Sequence, residues 1–132
     1  IIAYARIEGP TITEAGKSEP DERTWLRVHT QLGVVFVCLC HRPPDQPVAG
    51  IQRFQEELVQ YMEGCPFTAV FGDANAHHPK LQHKLTGKTN SAGRRLNQLS
   101  MEFMLKQVAT KPTRGDAILD MALTNMGDYI ST

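Results

Sequence analysis

The sequence predicts one mixed α/β domain, and four patterns carry that prediction. Val34-Val35-Phe36-Val37-Cys38-Leu39-Cys40 is apolar at every position, as expected of a central strand covered on both faces. Ile51, Phe54, Leu58 and Tyr61 then recur at helical spacing with Gln, Arg and Glu between them. A second buried-strand candidate, Phe67-Thr68-Ala69-Val70-Phe71, follows, and after it a second helical stripe of Leu96, Leu99 and Phe103. Strand and helix signals that alternate without internal repeats or a low-complexity linker point to a sheet and helices around one core.

Taken in order, the chain is expected to open as a β-meander. Ile1 to Ile7 is apolar-rich and reads as a strand, Glu8 to Glu22 reads as a Gly/Pro/Ser/acidic loop, and Trp25 to Thr30 alternates partially, as a strand would. Gln31-Leu32-Gly33 turns the chain into the apolar strand. His41-Arg42-Pro43-Pro44-Asp45-Gln46-Pro47 must leave the sheet, because proline has no N–H to give a ladder. The first helix follows directly, with Gly64 and Pro66 as its stop. The strand Phe67 to Phe71 ends in Gly72-Asp73-Ala74-Asn75, a long polar loop runs to Asn90, and Ser91 is the expected cap of the second helix. A short extended piece from Gln107 to Thr110, a turn from Lys111 to Asp116 and a strand from Ile118 to Thr124 close the chain, with Asp120 as an acid inside an apolar run.

Composition sets the outer limits. In 132 residues, 41% hydrophobic and 21% charged residues suffice for a packed core and exclude a disordered or collagen-like chain. No apolar run approaches the roughly 18 residues of a membrane span, so no membrane partner is expected. Ile1-Ile2-Ala3-Tyr4 lacks the basic region and long apolar core of a signal peptide, and the chain is expected to begin inside a domain. Three cysteines, an odd number without framework spacing, favour a reducing interior. Cys38 and Cys40 share one strand face and read as small buried hydrophobes, since a zinc pair normally wants a C-x2-C knuckle.

The 14 basic and 14 acidic residues cancel, but not locally. Residues 1–73 hold six basic and ten acidic residues, net −4, and residues 74–132 hold eight basic and four acidic, net +4. Lys80, Lys84, Lys88, Arg94 and Arg95 occur with no carboxylate between Asp73 and Glu102, a basic run suited to a polyanion.

The sharpest local feature is the delivery of Gly72-Asp73-Ala74-Asn75 at the carboxyl end of a buried strand. Catalytic groups collect where rigid strands end and side chains meet solvent. If the chain stays extended, a spacing of two puts Asp73 and Asn75 on one side; the plainer alternative is an Asx-type turn after the strand. A carboxylate that orients water beside a hard metal ion, next to an amide that donates to a phosphoryl oxygen, suits phosphoester chemistry.

The order of motifs resembles the endonuclease/exonuclease/phosphatase superfamily, and within it the endonuclease domain of non-LTR retrotransposons. The motifs are the central strand ending in Arg42-Pro43-Pro44, the segment Val70 to His78 around Gly72-Asp73-Ala74-Asn75, Lys111-Pro112-Thr113-Arg114, and Ile118 to Thr124. The resemblance covers essentially the whole chain. It implies an α/β four-layer sandwich, two packed β-sheets flanked by helices, of which residues 1–132 would be a truncated portion. It also implies hydrolysis of DNA phosphodiesters with Mg²⁺, or Mn²⁺ in its place. By resemblance Asp73 positions the attacking water and ligates the metal, Asn75 contacts the scissile phosphate, and Asp120 supports a catalytic histidine. The substrate-binding residues implied are His41, Arg42, His78, Arg94, Thr113 and Arg114. DNA is the implied partner, with a reverse transcriptase domain in the same full-length chain and an intracellular, nuclear site of action.

Departures from the pattern shape the expectation. The family's metal-binding glutamate lies upstream of the first residue here, its S-D-H histidine lies beyond Thr132, and His41 stands where relatives carry a phosphate-contacting tyrosine. Ala74 and Leu81 replace bulkier aromatic residues. The 132-residue piece alone is therefore expected to be inactive or very slow. Two other readings stand beside the nuclease: a superfamily phosphoesterase acting on a substrate other than nucleic acid, and a non-catalytic remnant that binds nucleic acid.

Overall fold

The computed structural model describes residues 11–18, 22–31, 33–43, 45–63, 67–82, 89–109 and 120–127. They form β1 (Thr11–Ser18), β2 (Arg23–Thr30), β3 (Gly33–His41), α1 (Ala49–Met62), β4 (Thr68–Asp73), α2 (Pro79–Gln82), α3 (Ser91–Glu102), β5 (Lys106–Gln107) and β6 (Asp120–Thr124). One six-stranded sheet runs in the order β1-β2-β3-β4-β6-β5. Among the described residues only β3 and β4 pair in parallel, because α1 carries the chain back between them; the other pairings are antiparallel.

The apolar strand is central, as its composition predicts. Its two faces are covered unequally. Phe36, Cys38 and Cys40 point to the side where Ile51, Phe54 and Leu58 of α1 and Leu96 and Leu99 of α3 complete one core with Trp25, Val70 and Leu123. On the opposite face Leu26, Val35, Ala69 and Ala122 are buried, but Val37, Leu39 and Phe71 are only half-buried. Among the described residues both long helices lie on one side, and the second sheet of a sandwich is not among them.

A polar knot sits inside this core. Trp25 stacks on Tyr61 with ring centroids 4.7 Å apart. The indole Nε1 donates to Glu57 Oε2 (3.1 Å), and Arg23 Nε donates to the same oxygen (2.6 Å). Arg23 can be 95% buried only because that carboxylate meets its charge and the Phe54 ring covers it. Cys38 and Cys40 are free and buried, and burial pushes the Cys40 thiol up to about 12. Both stay neutral near pH 7, as small buried hydrophobes do.

Three local expectations are corrected. The segment Glu8 to Glu22, read as a loop, contains β1. This edge strand has an almost wholly exposed or half-buried pattern and a bulge between Glu14 and Gly16, so no apolar alternation marks it. The strand expected at Ile1 to Ile7 lies outside the described residues. The polar loop before Asn90 contains the short helix α2, whose Leu81 is buried in the core. The cap of α3 is Asn90 rather than Ser91: its side chain accepts from Gly93 N (2.7 Å) and also from His77 N (3.0 Å). That double acceptance needs α3 pressed onto the preceding loop. A Cβ on Gly93 would lie 1.9 Å from His77 O, so only glycine allows it.

Candidate active site at the carboxyl end of β4

The parallel register places His41 of β3 beside Asp73 of β4, and the antiparallel register places Asp120 of β6 on the other side of Asp73. Neighbouring strands lie about 4.8 Å apart, so the backbones of these three residues form one row across the sheet. At Gly72, paired with Cys40, φ is +138° and a Cβ would lie 1.8 Å from Cys40 O. The glycine of the motif is thus required by the sheet, one residue before the carboxylate.

After Asp73 the chain turns sharply. Asn75 has φ +44°, and its N–H donates to Asp73 Oδ1 (2.9 Å), which makes an Asx turn. The extended geometry considered from spacing is therefore replaced by a left-handed residue. Asp73 and Asn75 meet through the turn, not through the pleat. The Asn75 Nδ2 donates to Arg42 O (2.6 Å), which fixes the amide plane.

Arg42 is the brace of this corner. Its N–H donates to Asp73 O (2.8 Å), and its guanidinium donates to Asn75 O (3.3 Å), Ala74 O (3.5 Å) and Gln46 O. Only 8% exposed, it is committed to backbone carbonyls, while its buried Nε has no partner among the described residues. Burial lowers its pKa, which a guanidinium can tolerate without losing its proton near pH 7. Sequence reasoning put Arg42 in the substrate-binding set; the structure turns its head inward, beneath the turn that carries Asp73 and Asn75.

The remaining candidates are distributed around this corner. His41 is half exposed, and its Nδ1 lies 2.5 Å from Glu22 Oε2. Glu22 escapes sequence reasoning because it stands 19 residues away; only the β2–β3 register, which pairs Arg23 with Cys40, brings it opposite His41. His78 Nδ1 accepts from Lys80 N (3.1 Å) at the start of α2. Arg94 is exposed in the first turn of α3, whereas Arg95 reaches back to Gln52 and Gln55 of α1. Asp120 is the first residue of β6. Thr113, Arg114, His83, Lys84 and Lys88 lie outside the described residues.

The donor chemistry bears on a hard metal ion. Asp73 keeps Oδ2 without a hydrogen bond among the described residues, one suitable oxygen for Mg²⁺. A hard cation takes about six oxygen ligands, and no group of three or more His, Cys, Asp or Glu that could hold a metal occurs among the described residues. They fit one ligand, not a complete site. Among the same residues no helix is long and apolar enough to cross a membrane.

No family model matches the chain, and no curated protein matches it. Seven chains of solved structures do match, among them the "Endonuclease domain of TRAS1, a telomere-specific non-LTR retrotransposon". That match has a TM-score of 0.64 at 15% identity and covers 86% of this chain. It covers 53% of that domain, so the chain spans about half its length. At that identity the likeness concerns fold: the chain has the α/β fold of a retrotransposon endonuclease domain.

Proposed function

We propose that the chain belongs to a DNA-nicking endonuclease that hydrolyses phosphodiesters with Mg²⁺, which Mn²⁺ can replace. One observation carries this reading: Asp73 ends β4 between His41 and Asp120 in register, with Asn75 folded back onto its carboxylate by an Asx turn. Asp73 would ligate the metal, which would supply electrophilic stabilisation of the phosphate. This chain's own residues do the positioning. Arg42 holds the Asp73–Asn75 turn from below, and Asn75 presents its amide at the same corner. The fold likeness and the basic side chains on α3 and α2 support DNA as the partner.

The same reading carries a reverse transcriptase region in the full-length chain and a nuclear site of action, both resting on likeness to the retrotransposon domain. It also predicts that the 132-residue chain alone nicks slowly or not at all, because Asp73 by itself is a poor site for a hard cation. The test is relaxation of supercoiled plasmid with Mg²⁺, comparing this chain with the full-length protein and with Asp73→Ala in each. Full-length nicking that disappears with Asp73→Ala supports the reading; nicking indifferent to Asp73 overturns the site.

A further inference from the structure

We propose that Glu22 is a positioning residue: it holds His41 by Nδ1, so that Nε2 is the ring nitrogen presented to a nucleic-acid phosphate. This rests on the nuclease reading for its ligand, but on different residues for its geometry.

Glu22 stands immediately before β2 and His41 is the last residue of β3, one step beyond the Arg23–Cys40 pair. Two contacts join them. His41 N donates to Glu22 O (3.0 Å), and the ring Nδ1 meets Glu22 Oε2 at 2.5 Å. Glu22 has φ +48°, a backbone conformation uncommon outside glycine, asparagine and aspartate. An ionised carboxylate only accepts, so Nδ1 carries the hydrogen in this pair. Nε2 is then the nitrogen left, without a hydrogen bond among the described residues, and in the imidazolium form, where both ring nitrogens carry hydrogen, it donates to a phosphate oxygen. Both side chains are 52% exposed, so the pair stands in reach of a ligand approaching the Asp73 corner. The second nitrogen of a histidine is commonly set by what the first one bonds, which makes Glu22 the residue that decides which atom His41 offers.

The experiment uses ¹⁵N-labelled histidine in the 132-residue chain. Long-range ¹H–¹⁵N spectra are followed during titration with duplex DNA and, separately, with inorganic phosphate. In the wild type, both ligands are expected to move the His41 Nε2 resonance and leave Nδ1 nearly still. Glu22→Ala should erase that difference and weaken binding roughly two- to fivefold, the range an exposed pair is worth. Glu22→Gln, whose carbonyl can still accept from Nδ1, should restore the difference. Equal spectra and equal affinity for wild type and Glu22→Ala would overturn the proposal, as would an Nε2 indifferent to both ligands. If duplex DNA fails to bind but phosphate moves Nε2 in a Glu22-dependent way, Glu22 keeps its role and the DNA reading falls.

Discussion

Replacing Gly72 with alanine tests whether the close approach of β3 and β4 holds the candidate site. A Cβ there would lie 1.8 Å from Cys40 O, against a practical minimum of 3.0 Å, and backbone rather than a mobile side chain stands in the way. The strands would have to part by about 1.2 Å locally. That stretches the flanking ladder hydrogen bonds past useful length, and two such bonds at ~1 kcal/mol each give ~2 kcal/mol. The φ of +138° adds strain of about 1–2 kcal/mol for any side chain. The expected loss is therefore about 3–4 kcal/mol, a large share of the 5–15 kcal/mol typical of a domain. Gly33→Ala is the control: φ is +116°, but nothing lies within 4 Å of its Cβ. It should show the strain alone. Thermal unfolding followed by circular dichroism reads both, at about 3–5 °C per kcal/mol for a chain of this size. If the two variants melt within about 4 °C of each other, the steric argument at Gly72 is wrong.

Further outcomes follow from other contacts. Asp73→Asn keeps an oxygen for Asn75 N and removes the charge, so it should preserve the melting temperature while abolishing nicking by the full-length protein; equal rates would remove Asp73 from the mechanism. Asn90→Ala removes the acceptor for both Gly93 N and His77 N and should cost about 1–2 kcal/mol in urea unfolding, against a negligible change for Ser91→Ala. The Cys40 thiol, raised from 9.0 to about 12 mainly by burial, makes the folded chain hold its proton more tightly than the unfolded chain. Its contribution is fully present below pH 9 and is lost progressively between pH 9 and 12, by up to about 1.4 kcal/mol per pH unit. Urea unfolding at pH 7.5 and about 10.5 should show that slope, reduced in Cys40→Ala.

The helices were legible because their burial follows a period the eye can count: Ile51, Phe54 and Leu58 on α1, Leu96 and Leu99 on α3. The strand β3 was legible because nearly every residue in it is apolar. The edge strand β1 was not, because it is held by backbone pairing to β2 with little apolar burial of its own. Asp73 could be singled out as the acid at a strand end. The shape of its turn could not, since the left-handed Asn75 depends on Arg42, 33 residues away, accepting the side-chain amide. The inward course of Arg42 is likewise invisible in a segment whose prolines suggest only an exit from the sheet. Glu22 was hidden for the same reason: strand register, not local spacing, makes it the neighbour of His41.

The Asn90 clamp has an evolutionary consequence. His77 N bonds the Asn90 side chain and Asn90 N bonds His77 O (3.1 Å), so the stretch between them is tied shut at its base. Doubling the length of a closed loop costs only about 0.6 kcal/mol in entropy. Changes of length between His77 and Asn90 therefore cost the closure little, so long as Leu81 keeps its place in the core and its carbonyl keeps the bond from Gln107.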